Sequence, residues 1–257
     1  MRARAKVAAA AAALLLAAAI WLAWPAAGVP ILTYHKVGDT EEAYSVAPAA
    51  FERQMGHLAA AGYTAVSLAD LADYMAGGKT LPAKPVVITF DDGYADNFTA
   101  ALPILEKHGM KATVFIITDF VGQEGYMTWE QVRALQARGM EIGSHTLAHR
   151  ALTSLPPAER QRDVRASKEA LEWRLGRPAA FLSYPFGEYD AAMFAILQQA
   201  GYRGACTTAP GLNKPGDNLY ALKRINIHRS RLGMWEFRLR LLRANVYGKL
   251  GIEPGRR

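Results

Sequence analysis

Short apolar runs alternate with longer amphipathic stretches through most of this chain. Residues 31–35, 64–68, 86–90, 113–118, 140–144, 180–184, 202–206 and 222–227 are each brief and mainly apolar or β-branched, the pattern of buried strands. Helical patterns lie between several of them, at 48–61, 98–108, 129–138, 158–175 and 191–200. Four of these helices end alike, in Ala61-Gly62-Tyr63, His108-Gly109-Met110, Arg138-Gly139-Met140 and Ala200-Gly201-Tyr202. A glycine that caps a helix and leads straight into a strand is the αβ loop of α/β proteins. The alternation predicts a parallel sheet with crossover helices. Seven or eight strands suit a barrel better than a short open sheet, with a doubly wound sheet as the alternative. No linker or second domain interrupts the pattern, so residues 30–257 read as one domain.

The first 29 residues are of another kind. Residues 7–28 carry no charge and follow Arg2, Arg4 and Lys6. A cleavable signal has an apolar region of about 7–15 residues, whereas a membrane-spanning helix needs about 20. This stretch fits the longer class, and Trp21 and Trp24 suit the far interface. The expectation is a cytoplasmic N-terminus, an inner-membrane anchor, and a domain in the periplasm or cell envelope. Cleavage near Ala26-Ala27, giving a secreted domain, is the competing reading. The lone Cys206 allows no internal disulfide.

Composition adds one further feature. The 257-residue chain has a net charge of +7, and the positive excess sits at its end. Residues 223–257 hold ten Lys or Arg against Glu236 and Glu253. Trp235, Phe237, Leu239, Leu241 and Leu242 fall among those arginines in a partly amphipathic helical pattern. It reads either as a closing helix with a solvated outer face or as a surface for anionic lipid or an acidic polymer. Nucleic acid is excluded as a partner, since the chain carries no recognition motif and is expected to be exported.

In a barrel, chemistry sits where strands end. The run 31–35 ends in His35, and the run 86–90 is followed by Asp91-Asp92. His145 and His149 follow the run 140–144, Tyr184-Pro185-Phe186 follow Ser183, and the last run carries Arg224 and leads to His228. Asp and His are oxygen and nitrogen ligands suited to a borderline divalent metal. His145 and His149 are four apart, so one helical turn would aim both rings at one point. Thr146 stands where the H-E-x-x-H motif has its glutamate, so a base must come from elsewhere. Adjacent strand residues point opposite ways, so one of Asp91 and Asp92 can hold metal while the other stays free. A cation would also offset their repulsion. Taken singly, Asp-Asp-Gly is a common turn, and His57 and His108 on helical patterns read as surface or core residues.

In order, Thr89-Phe90-Asp91-Asp92-Gly93, Ser144-His145-Thr146-Leu147-Ala148-His149 and Ser183-Tyr184-Pro185-Phe186-Gly187 resemble the successive motifs of the polysaccharide deacetylases, carbohydrate esterase family 4. The likeness runs from Ile31 to His228. Thr33-Tyr34-His35-Lys36-Val37 makes it most similar to the exported poly-β-1,6-N-acetylglucosamine deacetylases of biofilm systems.

The resemblance implies a distorted (β/α)7 barrel and a divalent cation, Zn2+ first, with Co2+ or Ni2+ as options. It implies Asp91 as catalytic base, Asp92, His145 and His149 as metal ligands, and His35 as general acid, with His228 the alternative. A backbone N–H near Phe186 would hold the oxyanion, with Tyr184 and Pro185 beside it at the substrate. Many members carry an arginine that holds the base aspartate. Here Ser183 takes its place, and Arg224 is the candidate replacement. The implied substrate is an N-acetylated exopolysaccharide of poly-N-acetylglucosamine type, with export components as further partners. Peptidoglycan or chitooligosaccharide deacetylation, an O-acetyl sugar esterase and a non-catalytic polysaccharide-binding module are the other readings. A binder would have no need of a free base beside a metal ligand.

Overall fold

The computed structural model describes residues 27–252, so nearly all of the expected anchor or signal at 1–29 lies outside the described residues. Among the described residues no helix is long and apolar enough to cross a membrane. The strands are β1 (Val29–Tyr34), β2 (Thr64–Ala65), β3 (Pro85–Phe90), β4 (Thr113–Ile116), β5 (Glu141–Ser144), β6 (Phe181–Ser183), β7 (Gly204–Cys206), β8 (Leu212–Asn213) and β9 (Ile225–Asn226). The main helices are α1 (Pro48–Ala60), α2 (Leu68–Met75), α3 (Leu102–Lys107), α4 (Trp129–Ala137), α5 (Pro157–Leu175), α6 (Ala191–Gln199) and α7 (Met234–Leu250).

Parallel neighbours follow the order β7-β6-β5-β4-β3-β1, and the sheet curls. β8 pairs antiparallel with the start of β1, and β9 pairs parallel with its later residues. Leu222, just ahead of β9, bridges Cys206 at the end of β7. Residues 222–226 therefore reach from the last strand of the order back to β1, and this seam completes the distorted barrel.

Alternate strand residues face opposite sides. Leu32, Tyr34, Ile88 and Phe90 pack outward with Phe51, Met55 and Leu58 of α1. Ile31, Val87, Phe115 and Phe181 form the inner cluster, joined by Cys206 and Leu222. Leu68, Leu71 and Met75 of α2 enter the same inner cluster and plug one end. Burial on both faces is why β1 and β3 read as unbroken apolar runs.

Gly143 in β5 is required by this interior. A Cβ there would lie 2.5 Å from Phe115 Cδ1 and 2.9 Å from the Phe181 carbonyl oxygen. Gly143→Ala should destabilise the fold by about 1–3 kcal/mol through overpacking, read as a lowered urea midpoint with unchanged slope.

Three expected elements differ. The run 64–68 is a strand only at Thr64–Ala65, because Ser67 and Asp70 form a reciprocal capping box that starts α2 at Leu68. The run 222–227 is a strand only at Ile225–Asn226, the rest being seam. The expected helix 98–108 opens with a π-helical turn, Asn97–Ala101, before α3.

Candidate active site

The inner-facing positions of the strands continue, past the strand ends, into a cluster of polar side chains. Ile31 leads by steps of two to Thr33 and His35, Val87 to Thr89 and Asp91, Gly143 to His145, and Phe181 to Ser183. The period-2 alternation that fills the core thus aims these four groups inward as well.

Asp91 still belongs to the sheet, its N–H donating to the Tyr34 carbonyl at 2.9 Å. Its carboxylate is buried against Arg224, which the seam inserts from the far edge of the sheet. Arg224 Nη1 donates to Asp91 Oδ1 at 2.8 Å and Nη2 to Oδ2 at 2.7 Å. The remaining guanidinium N–H groups reach the Thr207 carbonyl (2.8 Å), Thr89 Oγ1 (3.3 Å) and Ser183 Oγ (3.0 Å). All five donors of this fully buried side chain are satisfied. Ser183 Oγ in turn donates to Asp91 Oδ2 at 3.1 Å. Burial pushes the Asp91 carboxyl up, but the Arg224 charge, aided by His145 and His35, overrides this and holds it well below the carboxylate range.

Asp92 points elsewhere, and strand alternation is not the reason. Its backbone has φ 75°, so the chain leaves the strand in a left-handed turn that swings the second carboxylate away from the first. Asp92 Oδ1 lies 3.3 Å from His145 Nε2 and 3.6 Å from His149 Nε2. It is buried without a hydrogen-bond partner. Bonds of about 2.1 Å to a tetrahedral ion would hold its ligand atoms about 3.4 Å apart, so this spacing suits shared ligation. His145 Nδ1 sits 2.8 Å from the Ser183 carbonyl. That contact makes Nδ1 the protonated nitrogen and leaves Nε2 free to coordinate. Donor set, spacing and orphaned oxygen all fit a divalent cation.

The two histidines do not share a helical turn, contrary to the expectation from their spacing. Thr146 (φ 69°) and His149 (φ 55°) are left-handed, and the loop folds back so that the rings meet with centroids 4.7 Å apart. Ser144 Oγ accepts from Thr146 N, Thr146 Oγ1 from His149 N, and Asp163 on α5 from Leu147 N. Asp92, Thr146, His149 and Phe186 (φ 59°) are the non-glycine residues at positive φ among the described residues, and all line this cluster. Such strain persists where surrounding structure over-determines it.

Around Phe186, the Tyr184, Gly187 and Glu188 N–H groups all donate within the fold, and Pro185 has none. Phe186 is thus the remaining donor of this turn, and its exposed ring lies 4.7 Å from that of His149. Tyr184 and Pro185 lie beneath the surface of this turn. Tyr184 is buried, with its hydroxyl on the Tyr220 carbonyl, and Pro185 is buried beneath the turn. They shape the turn that presents Phe186. A groove of about 680 Å³ runs past Phe186, Glu188, Tyr189, Phe194 and Thr208.

His35 has its Nδ1 buried without a partner and its ring against Tyr44. Burial lowers its pKa, while the Asp91 and Asp92 charges pull the other way. His228 is held instead by Arg240, with Nη2 at 2.7 Å from His228 Nε2. Two contributors went unread in the sequence, Thr89 and the Thr207 carbonyl, both on Arg224. Thr89 was accessible, since it precedes Asp91 by one inner-facing step.

The family described as Polysaccharide deacetylase matches residues 78–205. The Bacillus subtilis protein YxkH, whose name places it provisionally among polysaccharide deacetylases, is 33% identical over 201 residues, or 78% of this chain and 72% of that protein. A poly-β-1,6-N-acetyl-D-glucosamine N-deacetylase of Staphylococcus aureus is 26% identical over 198 residues, covering 72% of this chain and 68% of that one. Among solved structures, the Streptococcus pyogenes deacetylase PplD in complex with acetate matches with a TM-score of 0.76 at 26% identity, covering 82% of this chain and 98% of that one.

Proposed function

From the premise that the chain belongs to the polysaccharide deacetylase family and shares its distorted (β/α)7 fold, we propose that it removes N-acetyl groups from an amino-sugar polymer outside the cytoplasm. Poly-N-acetylglucosamine is the preferred substrate, supported by the S. aureus relative and by the Thr33–Val37 motif. The uncharged residues 7–28 behind three cations support the location. The observation that carries the reading is the division between the two aspartates. Asp92 joins His145 and His149, while Asp91 is kept apart from them and ionised by Arg224.

Asp92, His145 and His149 would hold a divalent cation, and one oxygen with two imidazole donors suits Zn2+, with Co2+ or Ni2+ as options. When bound, that cation supplies Lewis-acid activation of water and of the acetamide carbonyl. Asp91 accepts the proton of the attacking water, and the Phe186 N–H faces the developing oxyanion. His35 delivers a proton to the leaving amine, so that acetate and a free amino sugar depart.

The acid is assigned to His35 because it faces the Asp91 and Asp92 charges, which favour its protonated form against the effect of burial. His228 Nε2 instead accepts from the Arg240 guanidinium, which has no acceptor, and burial together with that neighbouring cation lowers the His228 pKa. His35→Ala should therefore lower kcat by about 10²–10⁴-fold, with His228→Ala within a few-fold of wild type. The reverse ranking would move the acid to His228.

The reading as a whole is tested by acetate release from poly-N-acetylglucosamine, peptidoglycan and acetylated chitooligosaccharides, before and after chelation. Release that stops on chelation and returns with Zn2+ is expected, fastest on poly-N-acetylglucosamine. Chelator-resistant release, or none from any N-acetylated polymer, would sink it.

A further inference from the structure

The terminal helix α7 has two apolar faces, and the fold covers one of them. Phe237 and Ala244 are buried, and Met234 and Leu241 pack against the main core cluster. On the other side Trp235, Leu239, Leu242 and Leu250 are 70%, 51%, 40% and 56% exposed. At 3.6 residues per turn these four fall within an arc of about 80°, so they form a stripe rather than a scatter. Leu232 before the helix and Ile252 after it are exposed too. Of nine large hydrophobic side chains exposed among the described residues, six lie between 232 and 252. That concentration marks a surface built to be covered.

The flanks of the stripe are cationic. Arg238 and Arg243 are exposed on either side of it, and Arg231 precedes it. The one acidic residue of α7, Glu236, is turned to Arg240. A cavity of about 450 Å³ beside the stripe is lined by Leu241, Leu242 and Leu212 together with Ala27 and Gly28. Ala27, which follows the uncharged residues 7–26 in sequence, therefore lies next to this helix. The same cavity touches Val29 and Pro85, where β1 and β3 begin, at the end of the sheet away from His35 and Asp91.

We propose that the exposed face of α7 docks on an anionic phospholipid bilayer, with the apolar stripe in the headgroup–acyl boundary and the arginines among the phosphates. An apolar stripe needs an apolar acceptor, which a solvated acidic polymer does not offer. Cationic flanks select a negative surface. On the proposed reading of residues 7–26 as a membrane segment, their junction with the fold at Ala27 brings that surface within reach. Docked this way, the catalytic strand ends lie on the side away from the lipid.

The full chain is tested with a polarity-sensitive fluorophore on Leu239→Cys, the native Cys206 being buried. The same label on Trp173→Cys, an exposed site on α5, serves as control. In phosphatidylcholine–phosphatidylglycerol vesicles the label at 239 should shift to the blue and be quenched by lipid-borne quencher. The control label should not. Pure phosphatidylcholine should weaken the effect, and Arg238→Gln and Arg243→Gln should each reduce the inserted fraction about fivefold. A label at 239 that stays in water in anionic vesicles, or that inserts regardless of these charges, would overturn the proposal. Shielding that grows with protein concentration in the absence of lipid would identify a second copy as the occupant and overturn it equally.

Discussion

Asp91→Asn is expected to abolish acetate release, with kcat down by about 10²–10⁴-fold, while metal stays bound. The hydrogen bonds of its carboxylate go to Arg224 and Ser183 and not to Asp92, His145 or His149, and Oδ1 keeps a lone pair for the proton. Elemental analysis of the variant should therefore show wild-type metal content. Unchanged turnover would remove Asp91 from the chemistry. Loss of metal along with turnover would make it a structural support for the ligand set. The variant should also be less stable, because Arg224 would remain buried with its charge uncompensated, so activity is to be compared below its unfolding transition.

Arg224→Met tests the other half of the pair and should cost about 3–5 kcal/mol of stability, the usual loss when one partner of a buried ion pair is removed. Asp91 would then be a carboxylate without its guanidinium, and burial would raise its pKa. The acidic limb of the rate profile should move to higher pH, an effect that general loosening of the fold would not produce. The Asp91→Asn/Arg224→Met double variant should be more stable than either single one, since neither charge is left alone. Two single-variant losses that simply add would show that the pair is not coupled. The folded pKa of Asp91 lies below its unfolded value near 3.9. Its contribution to stability is therefore complete above about pH 5 and drains away as the pH falls through the acid range.

Much of this architecture was legible because it is local. Runs such as Val86–Phe90 and the glycine helix ends read correctly, since strand alternation and helix capping act over a few residues. The inward aim of His35, Asp91, His145 and Ser183 follows from the same period of two. The capping box at Ser67 and Asp70 was also open to reading, and would have placed α2. Less accessible was the left-handed backbone at Asp92, Thr146, His149 and Phe186. None is glycine, and contacts from distant residues help to hold two of these turns, Asp163 and Thr118 at the histidine loop and Thr208 at Phe186. The i,i+4 spacing of the histidines suggested a helical turn for that reason, and a folded-back loop achieves the same convergence.

The sequence by itself determined which chemistry is present and on which strand ends it falls, because motif order and alternation are properties of the chain alone. Only the tertiary structure decided how Asp91, the proposed base, is held. Where many relatives place an arginine, this chain has Ser183, and the guanidinium arrives from Arg224 in the seam. Asp91 and Arg224 are 133 positions apart. No local propensity links them, and their contact exists because residues 222–226 bridge β7 and β1 and leave a buried guanidinium facing the Asp91 carboxylate.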